Sequence, residues 1–136
     1  MYKLSSKIIY ALIGLMDIIL YGEEKPVPVS QIARRQKISK IYMERIFSIL
    51  VKAKIVKSIK GKKGGFILLR QPSHITLYKL VKIFGRKKGE GLSFKNKSVE
   101  KSLVRLCTEI RDNLEKTFKG IKLSNIMEPQ RPGIRK

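Results

Sequence analysis

Between residues 39 and 69 the apolar side chains change period once, and that change constrains the fold more than any other feature of the chain. Met43, Ile46, Phe47, Leu50 and Val51 recur at steps of three and four, which places them on one face of a helix. Ser39 stands before them as a natural N-cap, so the spacing predicts a helix over 39–52. Residues 55–60 and 66–69 are then β-prone, and Gly61-Lys62-Lys63-Gly64-Gly65 between them is turn chemistry. A clean amphipathic helix followed at once by a strand, a glycine turn and a strand reads as a helix packed beside a projecting β-hairpin.

The flanking segments complete a small, mainly helical domain. In 5–21, Ile8, Leu12, Leu15 or Met16, and Ile19 or Leu20 keep helical spacing, and Asp17 interrupts the apolar run. That run is shorter than the ~20 residues a membrane-spanning helix needs, and no small-residue cleavage site follows it. It therefore reads as a core helix of a cytoplasmic protein, without a membrane partner or a signal peptide. Gly22 ends it, and Ser30 suits the N-cap of a short helix over 31–36 that turns Ile32 and Ala33 inward. Lys37-Ile38-Ser39 makes a tight connection to the next helix. Beyond the hairpin, 70–73 is a terminator and 76–84 a helix with Leu77, Leu80, Val81 and Phe84 apolar. Glycine-rich 85–98 reads as a mobile basic loop. Over 99–118, Val99, Leu103, Leu106, Ile110, Leu114 and Phe118 form a narrow seam with charge on both flanks, the pattern of a helix that pairs with another helix. A short turn over 123–127 and a disordered basic tail over 128–136 finish the chain. The expected division is 1–84 as one compact domain, 85–98 as a flexible basic loop, 99–127 as a helix-pairing arm with a short turn and 128–136 as a basic tail.

Charge indicates the partner. The 136 residues contain 31 Lys+Arg against 10 Asp+Glu, a net charge of +21. Such a chain is drawn to polyanions. The excess is concentrated: 34–63 holds eleven basic residues and one acid, Glu44. Three helices followed by a hairpin is the order of a winged helix-turn-helix, in which the second helix of the pair enters the major groove. On 39–52 the face opposite the apolar stripe carries Lys40, Ile41, Glu44, Arg45 and Ser48. Arg45 is suited to a two-pronged bond with a guanine edge, and Glu44 to accepting from a cytosine amino group. Lys57, Lys60, Lys62 and Lys63 give the hairpin four charges for phosphates or a minor groove. The glycine-lysine turn lacks the spacing of a phosphate-binding loop, and a strand follows it where that loop requires a helix. One histidine, His74, one cysteine, Cys107, and no paired carboxylates in an apolar setting leave no catalytic or metal constellation, so no enzyme activity and no cofactor are expected.

With those residues in place, VSQIARRQKISKIYMERIFSILVKAKIVKSIKGKKGGFILL over 29–69 resembles the winged-helix segment of the IscR/NsrR/CymR-type (Rrf-two, or BadM) bacterial transcription regulators. KLSSKIIYAL over 3–12 resembles that family's first helix, and PSHITLYKLVKIF over 72–84 the helix after its wing. The match is weaker but in order over 98–127. The resemblance implies a homodimer that crosses over through the long helix and binds a pseudo-palindromic operator, most simply as a repressor. It implies base or nearby contacts from Ser39, Ile41, Tyr42, Glu44 and Arg45, a minor-groove contact from Lys60, and phosphate contacts from Ser5, Lys7 and Tyr10. Many members carry three cysteines before the long helix that hold a two-iron cluster. Here 85–98 contains none and Cys107 lies inside the helix, so that sensor is not carried over. Cys107 reads as a small apolar member of the seam, with a redox role as the other reading, and a small-molecule or redox effector is left open. Lys54 stands where the family usually has glycine, which implies strain if its backbone is left-handed. The competing reading is a basic architectural or RNA-associated protein without sequence preference, against which the carboxylate of Glu44 on the reading face argues.

Overall fold

The computed structural model describes residues 4–22, 25–85 and 96–126. Its elements run α1 (Ser6–Tyr21), α2 (Val29–Gln36), α3 (Lys40–Lys52), β1 (Val56–Ile59), β2 (Gly65–Leu68), a 3-10 turn (Pro72–His74), α4 (Leu77–Phe84), α5 (Lys97–Gly120) and α6 (Leu123–Ile126). The fold is thus mainly helical with one antiparallel hairpin, as the periodicity predicts. Val56 lies opposite Leu68 and Ile59 opposite Gly65. Val27 adds a bridge to Phe66, so the linker before α2 borders the hairpin as a third, very short strand. Among the described residues no helix is long and apolar enough to cross a membrane.

Three caps fall where the residue types place them. The Oγ of Ser5 accepts from the Ile8 amide, that of Ser39 from Tyr42 and that of Thr76 from Lys79. The expected cap of α2 does not. Ser30 is exposed inside the first turn, and Pro28 is the N-cap, its carbonyl accepting from the amides of Gln31 and Ile32. The ring holds φ at −66°, and burying Val29 favours starting the helix there. The long helix also starts earlier than the apolar seam does. Asn96 accepts from the amides of Ser98 and Val99, so 97–98 belong to α5 rather than to the loop. The remainder of that loop, 86–95, and the tail over 128–136 lie outside the described residues.

One core joins all the helices. Ile8, Ala11, Leu15 and Ile18 of α1 meet Met43, Ile46, Phe47 and Leu50 of α3, together with Leu77, Leu80 and Phe84 of α4. The buried face of α1 is therefore Ile8/Ala11/Leu15/Ile18; Leu12, Met16 and Ile19 are half-buried and Leu20 is exposed. Gly14 permits the close crossing of α1 and α3, since a Cβ there would lie 2.6 Å from the Phe47 ring. Phe118 and Leu123 enter the same core from the C-terminal segment. Two backbone bonds fasten that segment, Leu77 N–H to the Ile121 carbonyl and Leu123 N–H to that of Ile75. The last turn of α5 is thus part of the N-terminal domain's core rather than of a separate arm.

Asp17 is the one buried charged residue among the described residues. Its carboxylate accepts from Arg35 Nε at 3.0 Å, Arg35 Nη2 at 2.7 Å and Gln36 Nε2 at 2.8 Å. The guanidinium also lies 4.4 Å above the Tyr21 ring. The hydrogen bond to Asp17 is the main reason that the Arg35 pKa is raised above its ordinary value, and burial acts against it. Removing one partner from such a pair strands the other charge. Arg35→Ala is accordingly expected to cost about 2–3 kcal/mol, read as a lower urea midpoint with unchanged slope. Lys54, just past the α3 C-cap Ala53, has φ 59°, so the left-handed condition under which strain is expected there is met. Lys54→Gly is expected to stabilise the fold by about 1 kcal/mol, visible as a raised Tm.

Candidate nucleic-acid interface

The surface begins with the way α3 is held. Met43, Ile46, Phe47 and Leu50 are each no more than 1 % exposed, and Val51 is half-buried. That stripe fixes the rotation of the helix about its axis. Lys40, Ile41, Glu44, Arg45 and Ser48 are consequently all exposed on the opposite side. Ile41 is 67 % exposed, an apolar side chain of the size that packs on a thymine methyl group. Lys40 Nζ lies 3.8 Å from Glu44 Oε1 across one turn, so the carboxylate on this face has a local cation. Such an exposed pair is weak and readily exchanged for another partner.

The N-terminal turns of α1 and α3 are brought together. Tyr10 and Tyr42 meet edge to face, ring centres 5.0 Å apart at 78°. Both rings are half-buried against the core, and the capping residues Ser5 and Ser39, with Lys7, stay exposed. Two helix N-termini side by side present amide dipoles suited to phosphate oxygens. Tyr10 and Tyr42 are thus packing residues first, with only part of each ring surface open.

The hairpin is braced from beneath. Phe66 of β2 packs on Phe47 of α3 with ring centres 4.8 Å apart. Leu69 N–H bonds to the Ile55 carbonyl and Ile55 N–H to the Leu50 carbonyl, which ties the base of the hairpin to the end of α3. Gly65 has φ 151°, and a Cβ there would lie 2.4 Å from the Val27 carbonyl carbon; no other residue permits this approach. Lys57, Lys60, Lys62 and Lys63 are all exposed. The four wing lysines and the polar face of α3 therefore belong to elements joined through a shared aromatic contact.

Two residues counted with functional groups prove to be structural. Arg35, one of the eleven basic residues of 34–63, is bonded to Asp17. Phe118, counted with the seam, is 8 % exposed and lies in the chain's own core. Leu114 is half-buried against that core, while Val99, Leu103, Leu106 and Ile110 are 37–50 % exposed. The Asp17–Arg35 pair left one trace in the sequence, an aspartate inside an apolar run. Which of Arg34 and Arg35 answers it follows from the phase of α2 against α1. The return of 121–123 against 75–77 left no trace, because backbone bonds carry it.

The cluster that the resemblance brings with it does not fit this chain. Cys107 is exposed in the middle of α5, His74 is the single imidazole, and no group of three or more His, Cys, Asp or Glu converges among the described residues. A two-iron cluster takes four ligands.

Comparison with known proteins agrees with this architecture. Residues 4–129 match the family model described as Rrf2, Iron-dependent Transcriptional regulator. The chain is similar to the HTH-type transcriptional regulator IscR of Aliivibrio salmonicida, 43% identical over 75 residues, which is 55% of this chain and 45% of that protein. IscR of Photorhabdus laumondii is 38% identical over 79 residues, 58% of this chain and 48% of that protein. These matches span about half the length of the curated relatives. Among solved structures, T. potens IscR is similar with a TM-score of 0.76 and 28% identity, covering 99% of this chain and 93% of that one. CymR, the global cysteine regulator of B. subtilis, has a TM-score of 0.76 and 26% identity, covering 94% and 98%. A winged helix-turn-helix with a long C-terminal helix, matched by that model over almost its whole length, places this chain in the Rrf2 family of transcriptional regulators.

Proposed function

We propose that this chain binds duplex DNA with sequence preference, as a homodimer on a pseudo-palindromic operator, and represses transcription there. The observation that carries the reading is the exposed face Lys40/Ile41/Glu44/Arg45/Ser48, held outward by a stripe of fully buried side chains. Sequence readout needs short polar side chains fixed in orientation, and the packing of α3 supplies that. Ser39 and Tyr42 flank the face, while Ser5, Lys7 and Tyr10 stand at the neighbouring helix end to anchor a phosphate. Lys57, Lys60, Lys62 and Lys63 set affinity and register along the backbone. The exposed residues Val99, Leu103, Leu106 and Ile110 of α5 supply the surface on which a second copy pairs. No step in this reading passes through iron.

The net charge of +21 favours a second reading, a basic protein that coats nucleic acid without preference. Selection from random duplexes separates the two. Recovery of a palindrome is the expected outcome, and uniform recovery with a steep salt dependence establishes the other reading. Within a selected motif, Arg45→Ala is expected to relax one base pair per half-site, with a loss of about 1–3 kcal/mol in discrimination there. An unchanged motif removes Arg45 from readout. Lys62→Ala combined with Lys63→Ala is expected to weaken all duplexes alike. The slope of log K against log salt then becomes shallower by about 0.9 for each phosphate that is no longer neutralised. Weakening confined to the preferred site assigns sequence reading to the wing instead.

A further inference from the structure

The edge of the hairpin that borders the α1–α2 linker is only partly used. Leu69 N–H bonds to the Ile55 carbonyl, which fixes the alternation along β2. Gly65 and Ile67 turn their backbone groups toward β1, while Phe66 and Leu68 turn theirs away. Phe66 meets Val27 there, donating at 2.9 Å and accepting at 3.0 Å. Continued in the same register, that pairing would set Lys25 opposite Leu68. The linker leaves the sheet before that point: Pro26 has no N–H, and the Lys25 amide donates to the Gly22 carbonyl at 2.6 Å. Leu68 therefore carries an N–H and a carbonyl that no described residue pairs.

Leu68 and Lys25 both line a cavity of about 400 Å³, a volume in the range of small-molecule sites. Its other walls are Gly22 at the end of α1 and the aliphatic side chains of Ile18, Ile19, Ile67 and Pro72, with no aromatic ring and no acid among them. Lys25 is exposed and makes no ion pair within the described residues. The recess thus combines one cation, one amide donor, one carbonyl acceptor and an aliphatic wall.

We propose that this recess binds a free aliphatic α-amino acid. The α-carboxylate accepts from the Leu68 N–H and the Lys25 ammonium, and the α-ammonium donates to the Leu68 carbonyl. A free amino acid carries both groups on one carbon, as a paired strand residue carries its own N–H and carbonyl. The aliphatic side chain lies against Ile18, Ile19 and Pro72. A simple fatty acid would leave the Leu68 carbonyl facing a carboxylate. An extended peptide is disfavoured because the open edge is a single residue long, Val27 already holding Phe66.

Isothermal titration of the full chain with L-leucine tests it, and one saturable site per chain is expected. Lys25→Met is expected to keep the original Tm and to bind leucine about tenfold more weakly, and Lys25→Arg to restore binding. Isocaproate, which is leucine without its ammonium group, is expected to bind the unaltered chain about tenfold more weakly than leucine. No saturable binding of leucine, isoleucine or valine at millimolar concentration overturns the proposal. Undiminished binding by Lys25→Met overturns the location, and equal binding of isocaproate overturns the ligand class. Tighter binding of an acetylated, amidated leucine tripeptide overturns it too, assigning the edge to strand addition. No DNA is present in these titrations, so their outcome is independent of the readout proposed for α3.

Discussion

The contact between Asp17 and Arg35 decides how the first two helices sit. Asp17 lies on the buried face of α1, where a polar group without hydrogen-bond partners is costly. Arg35 and Gln36 at the end of α2 supply three donors, which accounts for the charge and sets the phase of α2 against α1. The connection from α2 to α3 is only three residues long and turns through a left-handed Lys37. The orientation of α2 is thereby passed to α3, and with it the direction of the face carrying Glu44 and Arg45. The Asp17–Arg35 pair thus bears on the direction in which the exposed face of α3 points.

The legible parts of the fold are those in which side chains impose a period. The stripe on α3 defined both its buried and its open side, and the glycine-lysine turn placed the hairpin within one residue. Ser39 marked a helix start because hydroxyl caps are a local chemistry, and Ser5 and Thr76 cap α1 and α4 in the same way. Ser30 misled for the same reason: a good capping side chain was present, but proline fixed the backbone two residues earlier and Val29 gained burial. For the candidate site, exposure of the α3 face and of the wing lysines followed from pattern. The inward turn of Arg35 and the anchoring of Phe118 did not, since both depend on elements distant in sequence.

Local strain and tight packing meet where α3 passes into the hairpin. Lys54 accepts a left-handed backbone, and directly after it Ile55 and Val56 are fully buried. Phe47 serves two functions: it fills the gap left by Gly14 and supports Phe66. Movement of the wing against α3 therefore has to disturb a ring that also sets the spacing of α1 and α3. The hairpin and α3 are thus coupled through the Phe47 ring.

The backbone bonds between 75–77 and 121–123 have a consequence of another kind. They clamp one end of α5 to the domain, while the half that bears the exposed stripe extends beyond the core. Association along that stripe and integrity of the core thereby share a single helix. In a pair held by α5, folding and assembly become thermodynamically linked, and protomer concentration enters the resistance of the domain to heat.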